Sequence, residues 1–407
     1  MAHRGAVQPM MVAAEPQATP ALAVDGLTTM QSGLKGKALG VTMDQIPNKK
    51  QIRDVVPAHC FKRNTLKSMF YAVQSVAVTG LCVALGRMIP MRAASLPLWL
   101  AYAAVTGTAA TGMWVVAHEC GHGAFSDNRA LQDAVGYILH TALLVPYFSW
   151  QHSHAVHHSR TNHITEGETH VPIVVGGTPG LETPGGEEEL HRSRSIGGSI
   201  YGAYQLTTHL VFGWPVYLLF GATGGPKYGM SNHFWAKKPF STTLWPNKWP
   251  KKVGQSALGC SAMLVALAAW ASKAGAATVF ALYGAPLMFT NMWLVLYTWL
   301  QHTDVDIPHL GDKEFSYMRG AFLTVDRPYG PIFDWLHHKI GSTHVTHHID
   351  CTIPHYHARE ATDAIAKNFP DVYLYDPTPV HVAMWRVAKN CIAVKRDGTG
   401  RYQWAAP

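Results

Sequence analysis

Eight histidines fall in three short runs: His118 and His122 in HECGH, His154, His157 and His158 in HAVHH, and His344, His347 and His348 in HVTHH. On a helix, residues three and four apart share a face, so each run turns two or three imidazoles toward one point. Imidazole suits iron, copper, zinc and nickel, and eight donors exceed what one tetrahedral or octahedral ion accepts. The count therefore implies a two-metal centre. His302, in the run YTWLQHTD at the end of the last apolar segment, is placed to act as a ninth ligand. Taken alone, HECGH matches HExxH, the zinc-protease motif. Against a protease stand the apolar span that runs straight into the motif, the helix-weakening Gly121, and two further clusters left without a role. The scattered His140, His191, His209, His233, His309 and His381 read as ordinary polar residues. His152, His163, His170, His337, His338, His355 and His357, closer to the clusters, read as supporting or structural.

The clusters need elements to bring them together. Four segments, about 68–86, 95–117, 253–272 and 276–300, have the length and apolarity to cross a bilayer, which takes roughly 20 residues. They form two hairpins. The first hairpin turn holds only Arg87 and Arg92, whereas Lys49, Lys50, Arg53, Lys62, Arg63 and Lys67 precede the first span, so the positive-inside rule places the N-terminus in the cytosol. An even number of crossings before each run puts all three on that face. Weaker apolar stretches at about 131–149 and 204–221 cannot cross alone without separating the clusters, and His140, Pro146, His209, Gly213 and Pro215 interrupt them; they are expected to lie at the interface or pack in the cap. The expected fold is thus an all-α polytopic membrane protein, with four transmembrane helices in two hairpins and a helical cytosolic cap holding the metal pair. The cap takes residues 118–252 and 301–407 of a single domain, 46–407, and residues 1–45, rich in Ala, Pro and Gly, are expected to be a disordered tail.

Composition excludes other classes. The net charge of +8 comes from Lys and Arg that flank apolar runs instead of forming one aromatic-interleaved patch, so membrane headgroups rather than nucleic acid are the expected partner. Six cysteines without a CxxC pair indicate neither a disulfide framework nor a thiolate metal site. No secretory signal pattern is visible, and the Gly- and Pro-rich stretch around Glu187 to Glu189 reads as a surface loop. A transporter or receptor that merely binds metal would carry ionisable residues at mid-membrane, and the spans carry almost none. Glu119, Glu168 and Asp350 are placed to orient ligand imidazoles through their distal N–H groups.

HxxxH, HxxHH and HxxHH, in this order between membrane hairpins, resemble the three histidine boxes of the membrane fatty-acyl desaturases. PAHCFKRNTLKS, WVVAHECGHGAFSDN, LLVPYFSWQHSHAVHHSRTN, GWPVYLLFGATG and THVTHHIDCTIPHYHAREATDAI are similar to runs of the delta-12 (oleate) branch, and the likeness extends from about Val55 to Trp404. The resemblance implies two non-haem iron ions held by His118, His122, His154, His157, His158, His344, His347 and His348, with His302 similar to the family's extra ligand. It implies dioxygen as co-substrate, a fatty-acyl lipid as substrate and an endoplasmic-reticulum membrane. The chain lacks the HPGG of a fused cytochrome b5, so electrons are expected from a separate donor, cytochrome b5 and its reductase or a similar pair. The expected product is a cis delta-12 double bond on an oleoyl chain. Omega-3 (delta-15) insertion on a linoleoyl chain, or a diverged hydroxylase or conjugase, is the alternative. Gly123 after the first box points toward omega-3 relatives, and Ile349-Asp350-Cys351 departs from the usual run after the third. An acyl tunnel lined near Trp114 and from Asn291 to Tyr297 is expected to set the carbon count.

Overall fold

A computed structural model describes residues 32–407 apart from Glu182 and Pro184. Four helices are long and apolar enough to cross a membrane: Thr65–Gly86, Ala93–His122, Trp249–Ala274 and Ala276–His302. They are the first to fourth spans below. Asn64 caps the first by accepting from the Lys67 N–H at 3.0 Å, and Gly86 lies near its end. Between the third and fourth spans stands a single residue, Gly275, whose φ of +86° is open to glycine and strained for other residues.

The spans are not equivalent. Within its most apolar 18-residue window the second span is 72% buried, against 17% for the first and 22% for the third. The second is therefore the axis on which the others pack, while the first and third expose Leu66, Phe70, Leu81, Leu258 and Val265 outward, as lipid-facing helices do. Close approach of the second and fourth spans depends on Gly107. A Cβ there would collide with the Pro286 carbonyl oxygen and the Phe289 side chain, and the Thr290 hydroxyl donates to the Gly107 carbonyl at 3.0 Å.

Neither of the two weaker apolar stretches is among the four helices long and apolar enough to cross a membrane. The first is split by residues 143–146 into helices Arg129–Ala142 and Tyr147–Ser159. The second is a helical run from Gly198 to Phe220 relaxed by a π-helical turn at Thr208–Phe212, with Ile200, Tyr204, Val211, Phe212 and Phe220 exposed.

Two features differ from expectation. Residues 32–45 are not part of a disordered tail; the rest of that segment lies outside the described residues. Leu34, Ala38 and Val41 are buried in and beside the short helix Lys37–Gly40, the first two against Ile307, Leu310 and Leu374. Ser32 anchors its start by donating its N–H and hydroxyl to Asp306 at 3.1 and 2.6 Å. The helical cap also contains a small four-stranded sheet ordered β1-β3-β4-β2: Ile173–Val174 (β1), His309–Leu310 (β2), Ala393–Arg396 (β3) and Arg401–Trp404 (β4). β1 runs parallel to β3, β3 and β4 form a hairpin, and β2 pairs antiparallel with β4. Strands of two to four residues carry too little alternation to stand out in a sequence.

Within the cap lies an ion cluster in which Arg327, Asp304 and Asp376 are fully buried and Arg386 nearly so. Arg327 donates to Asp376 and, at 2.7 Å, to Asp304; Arg386 reaches the same two carboxylates at 2.6 and 2.7 Å. Arg327 Nε also donates to the Leu300 carbonyl at 3.1 Å. The cluster thus grips the chain on both sides of His302.

Candidate metal centre

The second span and the first box are one continuous helix. It runs through HECGH to His122 and ends at Gly123, whose φ of +78° is the left-handed cap that lets the Ala124 N–H return to the Glu119 carbonyl at 3.0 Å. Nothing crowds a Cβ at Gly123, so backbone conformation rather than space favours glycine there. His118 and His122, one turn apart, share the inward face. The helix Tyr147–Ser159 supplies His154, His157 and His158, the short helix His344–Ile349 supplies the third run, and His302 is the last residue of the fourth span.

All nine histidines come together. One ring nitrogen from each of His118, His122, His154, His158 and His347 lies within 4.8 Å of the others, and His157, His302 and His348 form a second such group. The Nε2 atoms meet in pairs: His118 and His154 at 3.0 Å, His118 and His122 at 3.2 Å, His154 and His158 at 3.2 Å, His157 and His302 at 3.1 Å, His302 and His344 at 3.0 Å. So many imidazoles cannot satisfy one another, because each neutral ring has one donor and one acceptor. Buried Nε2 atoms of His347 and His348 have no partner at all. Converging unpaired lone pairs in two groups are what two cations would satisfy.

Burial and mutual proximity hold these rings neutral. His157 is pushed down to about 4, and His154, His158, His344, His347 and His348 lie well below the ordinary histidine range. Neutral imidazole is the metal-binding form. Two rings are oriented from behind, by groups that spacing alone did not single out. His157 Nδ1 donates to the backbone carbonyl of Glu168 at 2.7 Å, leaving Nε2 free to face His302, and Thr161 Oγ1 hydrogen-bonds His348 Nδ1 at 3.1 Å.

The three carboxylates sit differently from expectation. Glu119 is buried, but its Oε2 accepts from the backbone N–H of His355 at 2.9 Å, and Oε1 stays 3.9 Å from His118 Nδ1, beyond hydrogen-bond reach. Glu168 contributes its main chain to His157, while its carboxyl, pushed up to about 8 by burial, accepts from the Tyr217 hydroxyl at 2.7 Å. Asp350 turns away entirely, accepting from Thr352 at 2.6 and 3.1 Å. The neighbouring histidines are mostly satisfied structural groups: His337 spans Tyr297 and the Thr108 carbonyl, His338 meets Ser75, His233 meets Ser153, and His209 stacks on Trp299. His140 packs among Trp114, Tyr147 and Trp150 with neither nitrogen paired.

A narrow cavity of about 60 Å³ opens beside His154 and His157. Its walls are Trp114, Trp150, Trp214, Tyr217, Leu294, Val295 and Thr298, with Gly213 and His209 from the π-helical region. Trp114, Leu294 and Val295, expected to line an acyl tunnel, line this cavity. Asn291 and Tyr297 are not among the lining residues, and the Tyr297 hydroxyl is engaged with His337 at 2.7 Å. Trp214 and Tyr217 were legible only as part of the GWPVYLLF run.

Comparison with known proteins adds an independent line. Residues 95–379 match the family model described as fatty acid desaturase. A delta(12)-fatty-acid desaturase of Vernicia fordii is 39% identical over 351 residues, covering 85% of this chain and 87% of that protein. An omega-6 fatty acid desaturase of Brassica juncea, named for the endoplasmic reticulum, is 37% identical over 86% of this chain and 88% of its own. An acyl-lipid (9+3)-(E)-desaturase of Dimorphotheca sinuata is 36% identical over 85% and 87%.

Proposed function

The chain belongs to the fatty acid desaturase family, and from that premise we propose that it inserts a cis double bond at delta-12 of an oleoyl chain, giving a linoleoyl chain, at a pair of non-haem irons. The observation that carries this reading is the convergence of nine histidines in two groups at the ends of membrane helices. His118, His122, His154, His158 and His347 would hold one iron; His157, His302 and His348, with His344 beside them, would hold the other. A bound iron pair would supply what no side chain offers, the use of dioxygen, two electrons and two protons to take two hydrogens from an unactivated methylene pair, with release of two waters.

The chain's own residues do the rest. Neutral, buried imidazoles held from behind by the Glu168 carbonyl and Thr161 present preset donors. Trp114, Trp150, Trp214, Leu294 and Val295 offer an apolar lining that excludes water and aligns an acyl chain beside the box histidines. The cavity as it stands is too slender for a long acyl chain, so these walls part on binding. Positioning of this kind governs which carbon pair reacts, since small misplacements cost large rate factors.

The relatives named as delta(12) and omega-6 desaturases support the regiochemistry. The relative named as a (9+3)-(E)-desaturase marks double-bond geometry as a property that neighbouring sequences vary. We place the protein in the endoplasmic reticulum membrane with boxes and termini toward the cytosol, on the basic flank before the first span and the even number of crossings. Electrons come from a separate donor, cytochrome b5 and its reductase. Iron analysis of the purified protein tests the centre: about two irons per chain are expected, and active protein holding a single zinc and negligible iron would end the proposal.

A further inference from the structure

The run PAHCFKRNTLKS and the PHYHAREATDAI end of the run that carries the third box contribute no box histidine, yet the fold brings them into contact. His59 and Cys60 stand on the 3-10 turn Ala58–Phe61, just before the first span; His357 and Glu360 stand three apart on the helix His355–Asn368, hence on one face. One donor atom from each of the four lies within 4.8 Å of the others. We propose that His59, Cys60, His357 and Glu360 form a second metal site, separate from the box centre, that takes a borderline-soft divalent cation of the zinc type.

The donor set fits that cation. Zinc takes thiolate, imidazole and carboxylate in four-coordinate sites, and one thiolate with two imidazoles and a carboxylate is a mixed set of that kind. Around metal–ligand distances of about 2.0–2.3 Å, tetrahedral donors sit roughly 3.3–3.8 Å apart. Here His59 Nε2 is 2.8 Å from Glu360 Oε2 and 3.8 Å from Cys60 Sγ, and the His59 and His357 rings meet edge-on with centroids 5.2 Å apart. Only small side-chain rotations separate this from a closed site. A plain surface ion pair between His59 and Glu360 would need neither the thiol nor the second imidazole, and would contribute little stability.

Cys60 is fully buried and, without a cation, burial and the adjacent Glu360 carboxylate push its thiol up to about 11. A divalent cation reverses that preference: the S–H bond breaks, its proton leaves to solvent, and the sulfur bonds the metal as thiolate. The spacing of the six cysteines gave no hint of a thiolate site because the donors come from segments 301 residues apart in the chain. The site has a structural consequence. It ties the start of the first span to the helix whose first residue, His355, donates its N–H to Glu119 inside the first box. Asn64 reinforces the same seam, donating its N–H to the Tyr356 hydroxyl at 2.7 Å.

The test uses iron-loaded, full-length protein in detergent, exposed to zinc chloride, desalted and analysed for both metals. About one zinc per chain is expected beyond the iron. Cys60→Ser and His357→Ala are each expected to lower that zinc by roughly tenfold or more while leaving iron unchanged. Cobalt chloride in place of zinc gives a thiolate-to-cobalt charge-transfer band in the wild-type protein that Cys60→Ser removes. Should Cys60→Ser fail to accumulate, His357→Ala and Glu360→Gln, both at partly exposed positions, carry the same comparison with the cobalt band as readout. Zinc bound at the boxes alone would survive all three substitutions, and that result, or no retained zinc, overturns the proposal.

Discussion

The imidazoles of His158 and His348 lie face to face, with centroids 4.0 Å apart and planes within 4° of parallel. His158 belongs to the five-histidine group and His348 to the three-histidine group, so this stack joins the two halves of the centre. Removing either ring takes a donor from one group and the packing partner from a ring in the other. His158→Ala and His348→Ala are therefore each expected to lower activity beyond about a hundredfold and to deplete both irons, not one. Iron content and acyl products of the two variants, measured on protein still present in the membrane, check this. Wild-type iron in both would show that the stack is not part of a metal centre.

Arg327 is the pivot of the buried cluster beside His302. Arg327→Ala leaves Asp304 and Asp376 buried near a single remaining cation, Arg386, and is expected to cost about 3–5 kcal/mol. Arg327→Lys should recover only part of that, since a point charge cannot reproduce the guanidinium's reach to both carboxylates and the Leu300 carbonyl. Thermal unfolding in detergent reads the difference, and unchanged midpoints for both variants would contradict it.

The membrane hairpins and the box histidines are legible in sequence because their signals are local: apolar length, and three- and four-residue spacing on one face. The groups that orient the rings are not. A backbone carbonyl such as that of Glu168 has no sequence signature, and the direction a carboxylate takes depends on neighbours far along the chain, as Glu119 shows by meeting His355. Asp350, adjacent in sequence to the third box, instead accepts from nearby Thr352. Residues 32–45 hid for a related reason: Leu34, Ala38 and Val41 are a regular but short apolar pattern within a stretch whose composition resembles a tail.

Gly107 sets the separation of the second and fourth spans, which end in His122 and His302. Gly107→Val is expected to cost about 1–3 kcal/mol through overpacking and to lower activity by shifting the two histidine groups apart. Gly80→Val, the same substitution on the first span where nothing lies within 4 Å of the added Cβ, is the matched control and should leave stability and activity nearly unchanged. Melting temperature and turnover of the pair check the claim; equal behaviour would contradict it.

On the proposed topology, with the basic segment before the first span and four crossings, both termini lie on the cytosolic face. A tag at either end is expected to be removed by protease added to sealed, right-side-out microsomes. Protection of the C-terminal tag alone would mean an odd number of crossings.

On the proposed reading, regiochemistry follows how far the acyl chain passes Trp114, Leu294 and Val295 before the box histidines meet it. Expression in a host that makes only monounsaturated fatty acids, followed by locating the double bonds in its lipids, reads activity, position and geometry together. The expected result is a new cis delta-12 bond on oleoyl chains, absent when His154 is replaced by alanine. Conversion of supplied linoleate to alpha-linolenate with oleate untouched would contradict the delta-12 assignment, and no new double bond from either substrate, with iron and electron donor present, would contradict desaturation itself.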